Sequence, residues 1–312
     1  MGKRTHSQIL AGLLYLVLVA VAFPITANAD MGPKPSVRIR FENMGDALCY
    51  GTLLSEREST GPASVWDGTE EHARIDEEEY PGSNYLVREV WEAFVAYQDP
   101  DGYYFLQEGW MVSETKEIAW TYYPPSRFKI LLYYPETGTF VSSGIYERYA
   151  FDTYYTVDMN GVNIGSVGYD EDLNTNTRIE AYRSYDYQQE ILSLIARIVL
   201  TIAIEMMVAL LFGFRNKKQL RILVIINLIT QIVLNVSLNM IRYNSGPWAF
   251  TANYVLLEIA VFAMEAVLYC KILKKASEPQ KKNWYYVTYS FVANAISFGA
   301  GFFLVRILPG VF

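Results

Sequence analysis

Hydrophobic and polar residues alternate through much of the first half of this 312-residue chain and separate into long blocks in the second half. Between residues 36 and 56, for example, Val37, Ile39 and Phe41 alternate with charged residues. A period of two predicts half-buried strands. Between residues 118 and 159, aromatic and β-branched segments recur at spacings of about 8–12 residues, which is typical of a small antiparallel sandwich.

One segment of this region has the spacing of a helix instead. Its apolar residues recur every three or four positions, which predicts a helix over residues 84–97 with Ser83 as the N-cap. Residues 160–177 are rich in glycine, asparagine and aspartate, and we assign a juxtamembrane linker to residues 161–189. The preceding residues 30–160 then form a β-rich, sandwich-like domain with one helix.

Four apolar blocks follow, each long enough to cross a hydrocarbon core of about 30 Å, which takes roughly 20 helical residues. They cover residues 190–213, 219–241, 250–273 and 284–308. The sequence therefore predicts an α+β protein in which an exported β-rich domain is followed by a four-helix transmembrane bundle over residues 190–312.

The N-terminus has the pattern of a secretory signal peptide over residues 1–29. Two basic residues precede an apolar run over residues 9–23, and Ala27 and Ala29 have the small-residue spacing of a cleavage site. The alternative is an uncleaved anchor helix, which the shortness of the run and its break at Pro24 disfavour.

Basic residues between the apolar blocks predict the orientation, because short loops rich in lysine and arginine stay on the cytoplasmic side. The first and third loops are rich in them, whereas the second loop and the C-terminal tail carry Arg242 and Arg306 alone. This places residues 30–189 and the C-terminus on the extracytoplasmic side of the cell membrane.

Charge and cysteine content narrow the partners and the compartment. The formal net charge is −7, with acidic residues in excess before residue 190 and basic residues in excess after it. An acidic exported domain disfavours nucleic acid as a partner. Cys49 and Cys270 are predicted on opposite sides of the membrane and cannot pair, and an exported domain without a disulfide suggests a Gram-positive cell surface.

Two features of the exported domain could bind ligands. Residues 67–79 form an acidic loop that could hold calcium, but they lack the alternating Asp and Asn spacing of a dedicated calcium loop, so a solvated loop is favoured. The tyrosine-rich strands could stack sugars or peptides, although a sheet core with an exposed aromatic face is the favoured explanation.

Histidine content argues against most enzyme classes. After the predicted signal peptide the only histidine is His72, which excludes histidine-based zinc sites and disfavours Ser-His-Asp and Cys-His arrangements. Residues 164–168, IGSVG, lack the first glycine of a G-x-S-x-G motif. We therefore predict no cofactor and no catalytic residue. If the chain were an enzyme, its mechanism would have to be based on carboxylates.

Charged and amide residues lie within the predicted spans, where a charged residue costs about 2.5–3.5 kcal/mol at mid-bilayer. At a rise of about 1.5 Å per residue they fall in an outer and an inner layer. We expect them to face the interior of the bundle and to form an intramembrane polar site: Arg197, Glu205, Asn227, Gln231, Asn235, Glu258, Glu265 and Asn294.

The two layers predict different chemistry. In the outer layer, Arg197 can pair with Glu258. In the inner layer, Glu205 and Glu265 have no basic partner, and two close carboxylates share a proton or hold a cation. The amide oxygens suit either role, although contacts between helices are the favoured role for the amides themselves.

Four stretches, which cover both the exported domain and the spans, carry a resemblance to a known family: MGPKPSVRIRFEN, WTYYPPSRFKILLYYPETGTF, YERYAFDTYYTVD and ARIVLTIAIEMMVALLFGFRNKKQL with NLITQIVLN. In them the chain resembles uncharacterised multi-pass membrane proteins with an exported N-terminal domain from anaerobic Gram-positive bacteria. The resemblance implies an export signal, an outer domain and a multi-helix membrane domain in one protein. It implies no activity and no site residues.

These observations favour a non-enzymatic cell-surface membrane protein. Its exported domain would bind a ligand or partner, and its helices would anchor it in the lipid bilayer or relay the event to a membrane or envelope protein partner. The alternative is a proton- or cation-linked transporter, or a transport subunit, that uses intramembrane glutamates. A carboxylate-based intramembrane enzyme is a weaker alternative.

Overall fold

A computed structural model describes residues 32–78, 80, 82–160, 162 and 179–307, except for the side chains of residue 302 and residues 304–307. The chain divides into two compact units. Lys34–Tyr185 form a β-rich unit, and the described residues from Asp186 onward belong to a helical unit. The predicted signal peptide lies outside the described residues.

Ten strands are found among the described residues of the β-rich unit. They are β1 Ser36–Glu42, β2 Tyr50–Ser55, β3 Ile75–Asp76, β4 Leu86–Val87, β5 Trp110–Met111, β6 Glu117–Trp120, β7 Arg127–Tyr134, β8 Thr139–Glu147, β9 Asp152–Asp158 and β10 Ala181–Arg183. One sheet has the order β10-β9-β1-β6, the second has the order β5-β2-β7-β8, and β3 pairs with β4. A mixed α+β fold is therefore confirmed, and its two larger sheets pack as layers.

Strands β2 and β7 of the second sheet are covered on both faces, and all of β2 and most of β7 are therefore buried. Phe128, Ile130 and Leu132 share a core with the first sheet, where Val37 and Ile39 are fully buried. The opposite face packs against helix α1, Arg88–Ala96. The alternation seen in the sequence of β1 is confirmed, because its apolar residues lie on the core side.

The strand pairing differs from the predicted antiparallel sandwich at β1 and in the small β3–β4 pair, which is parallel. Strand β1 pairs in parallel with β9, in register from Ser36 opposite Asp152 to Glu42 opposite Asp158, and pairs antiparallel with β6 on its other edge. The chain crosses from the second sheet to the first between β8 and β9, and β9 runs in the direction of β1. Periodicity predicts strands but not this crossover.

The helix predicted over residues 84–97 begins only at Arg88. The preceding residues form β4, with Leu86 opposite Ile75, and Val87 still has an extended backbone. The hydroxyl of Ser83, which we predicted as the N-cap, instead accepts a hydrogen bond from the backbone N–H of Tyr85 at 3.0 Å. Pairing with a neighbouring strand has displaced the first helical turn.

The predicted linker over residues 161–189 is shorter where the structure describes it. Ile179 is 1% exposed and belongs to the core of the β-rich unit. Strand β10 pairs antiparallel with β9, so Ala181–Arg183 extend the first sheet. Because Ile179 and Ala181–Arg183 belong to the β-rich unit, this unit ends at Tyr185 and not at residue 160.

The helical unit contains α3 Tyr187–Leu211, α4 Lys217–Leu268 and α5 Asn283–Ile307; the short helix α2, Val112–Thr115, lies in the β-rich unit. A π-helical turn, Tyr269–Leu273, and a 3-10 turn, Lys274–Ala276, continue α4. The side chain of Asp186 accepts from the N–H of Gln189 and caps α3. Asn216 and Gln219 form a capping box at the start of α4.

Helix α4 reverses at Gly246, which has φ 83° and ψ −178° and precedes Pro247. Glycine tolerates a positive φ, and proline cannot continue the hydrogen bonding of the preceding helix. The segments on either side fold against each other, because Leu234, Leu238 and Ile241 share an apolar cluster with Ala249, Leu257 and Val261.

Two helices among the described residues are long and apolar enough to cross a membrane by length and composition. They are Tyr187–Leu211 and the 60-residue stretch Lys217–Ala276. The four-helix transmembrane bundle, with its orientation, stays a prediction.

A buried ion cluster connects a turn to the second sheet. The Lys129 side chain is 3% exposed and donates to Asp99, whose side chain is fully buried, and to Asp101 at 3.0 Å. The Asp99 carboxylate also accepts from the backbone N–H of Asp101 at 3.0 Å and of Tyr103 at 3.3 Å. The contact between this turn and strand β7 therefore depends on Lys129.

We expect Lys129→Met to destabilise the β-rich unit by about 3–5 kcal/mol, because it leaves the buried Asp99 without its cation. Denaturant unfolding of the full chain, followed by tryptophan fluorescence, measures this change. The matched control is Arg127→Met on the same strand, whose guanidinium is 53% exposed beside Glu56. The control should change stability by less than about 0.5 kcal/mol, and equal effects of the two substitutions would contradict the prediction.

Candidate functional site

Both acids of the predicted inner layer are fully buried, at 0% exposure, in the helical unit. Glu265, on the second segment of α4, accepts from the Thr230 hydroxyl at 2.6 Å and from the Asn294 amide at 2.7 Å. These two donors come from the first segment of α4 and from α5. The Glu265 carboxylate therefore joins three helical segments.

Glu205 has fewer partners. It lies on α3, and the Ser297 hydroxyl is 3.5 Å from its Oε1 atom. Its Oε2 atom has no hydrogen-bond partner among the described residues. Ser297 and Asn294 are three residues apart and lie on one face of α5, so this helix brings donors to both acids.

Two tyrosines from the other helices complete the buried cluster. Tyr269, in the π-helical turn, donates from its hydroxyl to Oδ1 of Asn227, whose Nδ2 has no partner among the described residues. The Tyr289 hydroxyl donates to the backbone carbonyl of Glu205 at 3.3 Å.

The acid cluster is defined here as Glu205, Asn227, Thr230, Glu265, Asn294 and Ser297. Its carboxylates receive hydrogen bonds from hydroxyls and an amide. Burying a carboxylate without a cation is costly. Three polar atoms are also unpartnered among the described residues: Glu205 Oε2, Asn227 Nδ2 and Asn294 Oδ1.

The predicted outer layer does not assemble in the same way. Nη2 of Arg197 donates to Oδ1 of Asn239 at 2.9 Å, and Nε has no partner in the described part of the chain. Glu258 lies beside Tyr254. The predicted Arg197–Glu258 pair is absent from the ion pairs of the described residues, and an amide that we had not predicted takes the place of the carboxylate.

Gln231 and Asn235 satisfy each other along one helical turn. The Asn235 amide donates to the Gln231 backbone carbonyl at 2.9 Å and to its side-chain oxygen at 3.2 Å. These contacts lie within one segment of α4 and do not reach the acids. Of the eight predicted residues, Glu205, Asn227, Glu265 and Asn294 come together in the acid cluster.

The described residues contain no group of three or more His, Cys, Asp or Glu side chains that could hold a metal ion. In the acidic loop, Asp67 contacts the His72 imidazole at 2.7 Å, and Glu70 pairs with Arg88. The hydrogen bond from His72 lowers the pKa of Asp67. The carboxylates of Asp67 and Glu70 therefore already have partners within the protein.

The β-rich unit holds a groove of about 590 Å³ that sequence reasoning missed. In it, Glu108 accepts from Arg74 at 3.0 Å and from the Asn84 amide. Burial nevertheless raises the pKa of Glu108. The neighbouring Gln107 has φ 63°, a left-handed conformation that is uncommon for a residue other than glycine.

Aromatic rings border this groove. Trp110 and Trp120 are buried in it, whereas Tyr85 and Tyr122 are 38% and 48% exposed. The Trp120 indole donates to the backbone carbonyl of Tyr122 at 3.0 Å and holds that segment. These residues come from separate strands and turns, so no local sequence pattern could have identified the groove.

Close backbone approach positions the polar end of the groove. The N–H of Gly109 donates to the Asn84 carbonyl at 3.0 Å. A Cβ atom at Gly109 would lie within 2.6–2.9 Å of the Leu86 side chain. Glycine at this position therefore allows Asn84 to stand beside Glu108.

Thr230→Val tests whether the acid cluster stabilises the helical unit. We expect a loss of about 1–2 kcal/mol, because valine keeps the shape and removes the shortest hydrogen bond to Glu265. Unfolding of the full chain in a detergent titration, followed by helical circular dichroism, measures the loss.

The matched control is Thr251→Val, on the same helix. Thr251 is exposed and its hydroxyl donates to the backbone carbonyl of Pro247 at 3.0 Å. This substitution should leave the unfolding midpoint nearly unchanged. A midpoint for Thr230→Val equal to that of the control would contradict a stabilising role for the cluster.

Comparison with models of protein families, with curated proteins and with solved structures found no match to this chain. The geometry of the acid cluster and of the groove therefore carries the functional argument alone.

Proposed function

We propose that this chain is a non-enzymatic, multi-pass cell-membrane protein whose exported β-rich unit binds a ligand or partner at the cell surface. The helical unit would anchor it or relay the event to another membrane or envelope protein. The predicted signal peptide and the basic loops support the orientation.

The reversal of α4 supports a four-span arrangement. The 60-residue stretch Lys217–Ala276 would be about 90 Å long if straight, which is roughly three times the hydrocarbon core. A break at Gly246 divides it into two pieces of suitable length. Together with α3 and α5 these pieces would give four spans, one for each of the four apolar blocks of the sequence.

The groove in the β-rich unit is the observation that carries the binding function. Its volume of about 590 Å³ lies within the range of about 300–1,000 Å³ that is usual for ligand sites. It combines exposed aromatic rings with a few converging polar groups, as binding sites commonly do. The exported part of the chain is acidic, which favours neutral or cationic ligands over anions.

We expect Tyr85→Ala combined with Tyr122→Ala to weaken ligand binding about fivefold or more, because aromatic contacts contribute about 0.5–1.5 kcal/mol each. The probes are neutral oligosaccharides and short cationic peptides, titrated against the full chain in lipid nanodiscs by calorimetry. Both tyrosines are at least 38% exposed, so the fold should survive.

Tyr182→Ala is the matched control, since Tyr182 is 52% exposed on β10 and does not line the groove. It should bind the probes as the parent does. The binding proposal fails if the parent binds neither probe class, or if the double substitution leaves the affinity of the bound probe unchanged.

The buried acids support a second candidate function, a proton- or cation-linked transporter or transport subunit. The specific observation is the unpartnered Oε2 of Glu205 in a fully buried cluster. A carboxylate-based intramembrane enzyme would use the same residues and is the weakest of the three readings.

Reconstituted vesicles test the transport function. We expect a proton or sodium flux through the parent that Glu205→Gln and Glu265→Gln abolish, because the amide cannot carry the proton or the charge. Glu278→Gln, at an exposed position, is the control and should keep the flux. Absence of flux in the parent, or an unchanged flux in both variants, would exclude transport by these acids.

A further inference from the structure

We infer that the acid cluster is a proton-binding site, in which Glu205 and Glu265 together hold one proton that resides on Glu205. This inference stands on the hydrogen-bond geometry of the cluster and depends on neither candidate function. It would narrow the second candidate from a proton or a cation to a proton.

The unpartnered atoms point to a missing hydrogen. Among the described residues, two buried oxygens, Glu205 Oε2 and Asn294 Oδ1, lack a donor. Ionised carboxylates only accept hydrogen bonds, whereas a protonated one also donates. A proton on Glu205 therefore turns one of the two unsatisfied acceptors into a donor.

The donors already present are committed elsewhere. The Thr230 hydroxyl has one hydrogen, and its nearest acceptor is Oε1 of Glu265 at 2.6 Å. The Asn294 amide gives its two hydrogens to Oε2 of Glu265 and to the Ser290 carbonyl, at 2.7 and 2.9 Å. Glu265 is thus satisfied as a carboxylate on both oxygens, whereas Glu205 has one distant donor, the Ser297 hydroxyl at 3.5 Å from Oε1, and none on Oε2 among the described residues.

The orientation of the Asn294 amide decides which of the two acids holds the proton. The Ser290 carbonyl, an acceptor at 2.9 Å, fixes the nitrogen on its side. If the amide were turned, its oxygen would face Oε2 of Glu265, and that contact would require a proton on Glu265. Either orientation leaves one proton on the pair.

A metal cation fits the cluster less well than a proton. Calcium takes six to eight oxygen ligands and magnesium takes six, whereas only two buried oxygens of the cluster lack partners among the described residues. Nδ2 of Asn227 is also unpartnered and fully buried there, and it is a donor that a cation would repel.

The charged and titratable groups around the pair leave no competing cation. The first segment of α4 contributes Asn227 and Thr230, which carry no charge. Its second segment contributes Glu258, which lies seven residues from Glu265. The π-helical turn that follows contributes Tyr269, and α5 contributes Tyr289.

Helix α3 also carries a cation, Arg197. It lies eight residues from Glu205, about 12 Å along the helix. Its guanidinium is bound to Asn239. The proton on Glu205 is therefore the only positive charge that the described geometry assigns to the pair.

Infrared difference spectroscopy of the full chain in lipid nanodiscs tests this inference, since a protonated carboxyl has its own C=O stretching band. At neutral pH we expect such a band, a shift of the band in D₂O, and its loss in Glu205→Gln. Glu265→Gln should keep the band, and Glu278→Gln, at an exposed position, is the control that should leave the spectrum unchanged. Absence of the band in the parent, or the same band in Glu205→Gln, would overturn the proposal.

A second variant keeps the test valid if Glu205→Gln does not fold. Ser297→Ala removes the hydroxyl beside Oε1 of Glu205 and should raise the frequency of the band. An unchanged frequency would place the proton elsewhere.

Loss of the parent's band on adding sodium chloride at constant pH would identify a cation site and overturn the proposal. A null flux experiment would remove transport and leave this assignment standing, because the band reports protonation and not movement.

Discussion

The reversal of α4 at Gly246 is the constraint on which the helical unit depends. Asn227 and Tyr269 are 42 residues apart, yet they share a hydrogen bond. In a straight helix they would be about 63 Å apart. The apolar cluster of Leu234, Leu238 and Val261 and the contact between Thr230 and Glu265 depend on the same reversal. One positive φ angle therefore brings the two segments of α4 to the acid cluster.

In the β-rich unit, the corresponding constraint is the burial of the second sheet on both faces. Strand β7 sends Phe128 and Ile130 to one core and Leu131 to the other. A strand buried on both sides has little room for a charge, and Lys129 is accommodated only because Asp99 and Asp101 surround its ammonium group. The groove lies outside this packed region, where turns such as that of Gln107 can place polar groups.

Local periodicity predicted the elements better than it predicted their partners. The alternation of Val37, Ile39 and Phe41 predicted β1, because the side-chain period of a strand is local. It could not predict that β9 lies parallel beside β1, because that pairing joins residues more than 100 positions apart. The groove was missed for the same reason, since Arg74, Asn84 and Glu108 meet only in the folded unit.

The sequence predicts how far along a helix a residue lies better than it predicts which neighbour its side chain faces. A fixed rise per residue predicted that Glu205 and Glu265 lie at one level, and the structure joins both to Ser297 and Asn294 on one face of α5. Depth alone also suggested a pair between Arg197 and Glu258, but rotation depends on packing against neighbours. The guanidinium therefore meets Asn239 instead.

The two sites also treat a buried carboxylate in opposite ways. In the groove, Glu108 receives hydrogen bonds from Arg74 and Asn84, and a cation beside it compensates for much of its burial. In the helical unit, Glu205 has one weak donor at 3.5 Å and no cation within the described geometry. A carboxylate with a cation can stay charged and present a fixed polar surface to a ligand. A carboxylate without one is stable only while it holds a proton, so the acid cluster is suited to proton exchange and the groove to recognition.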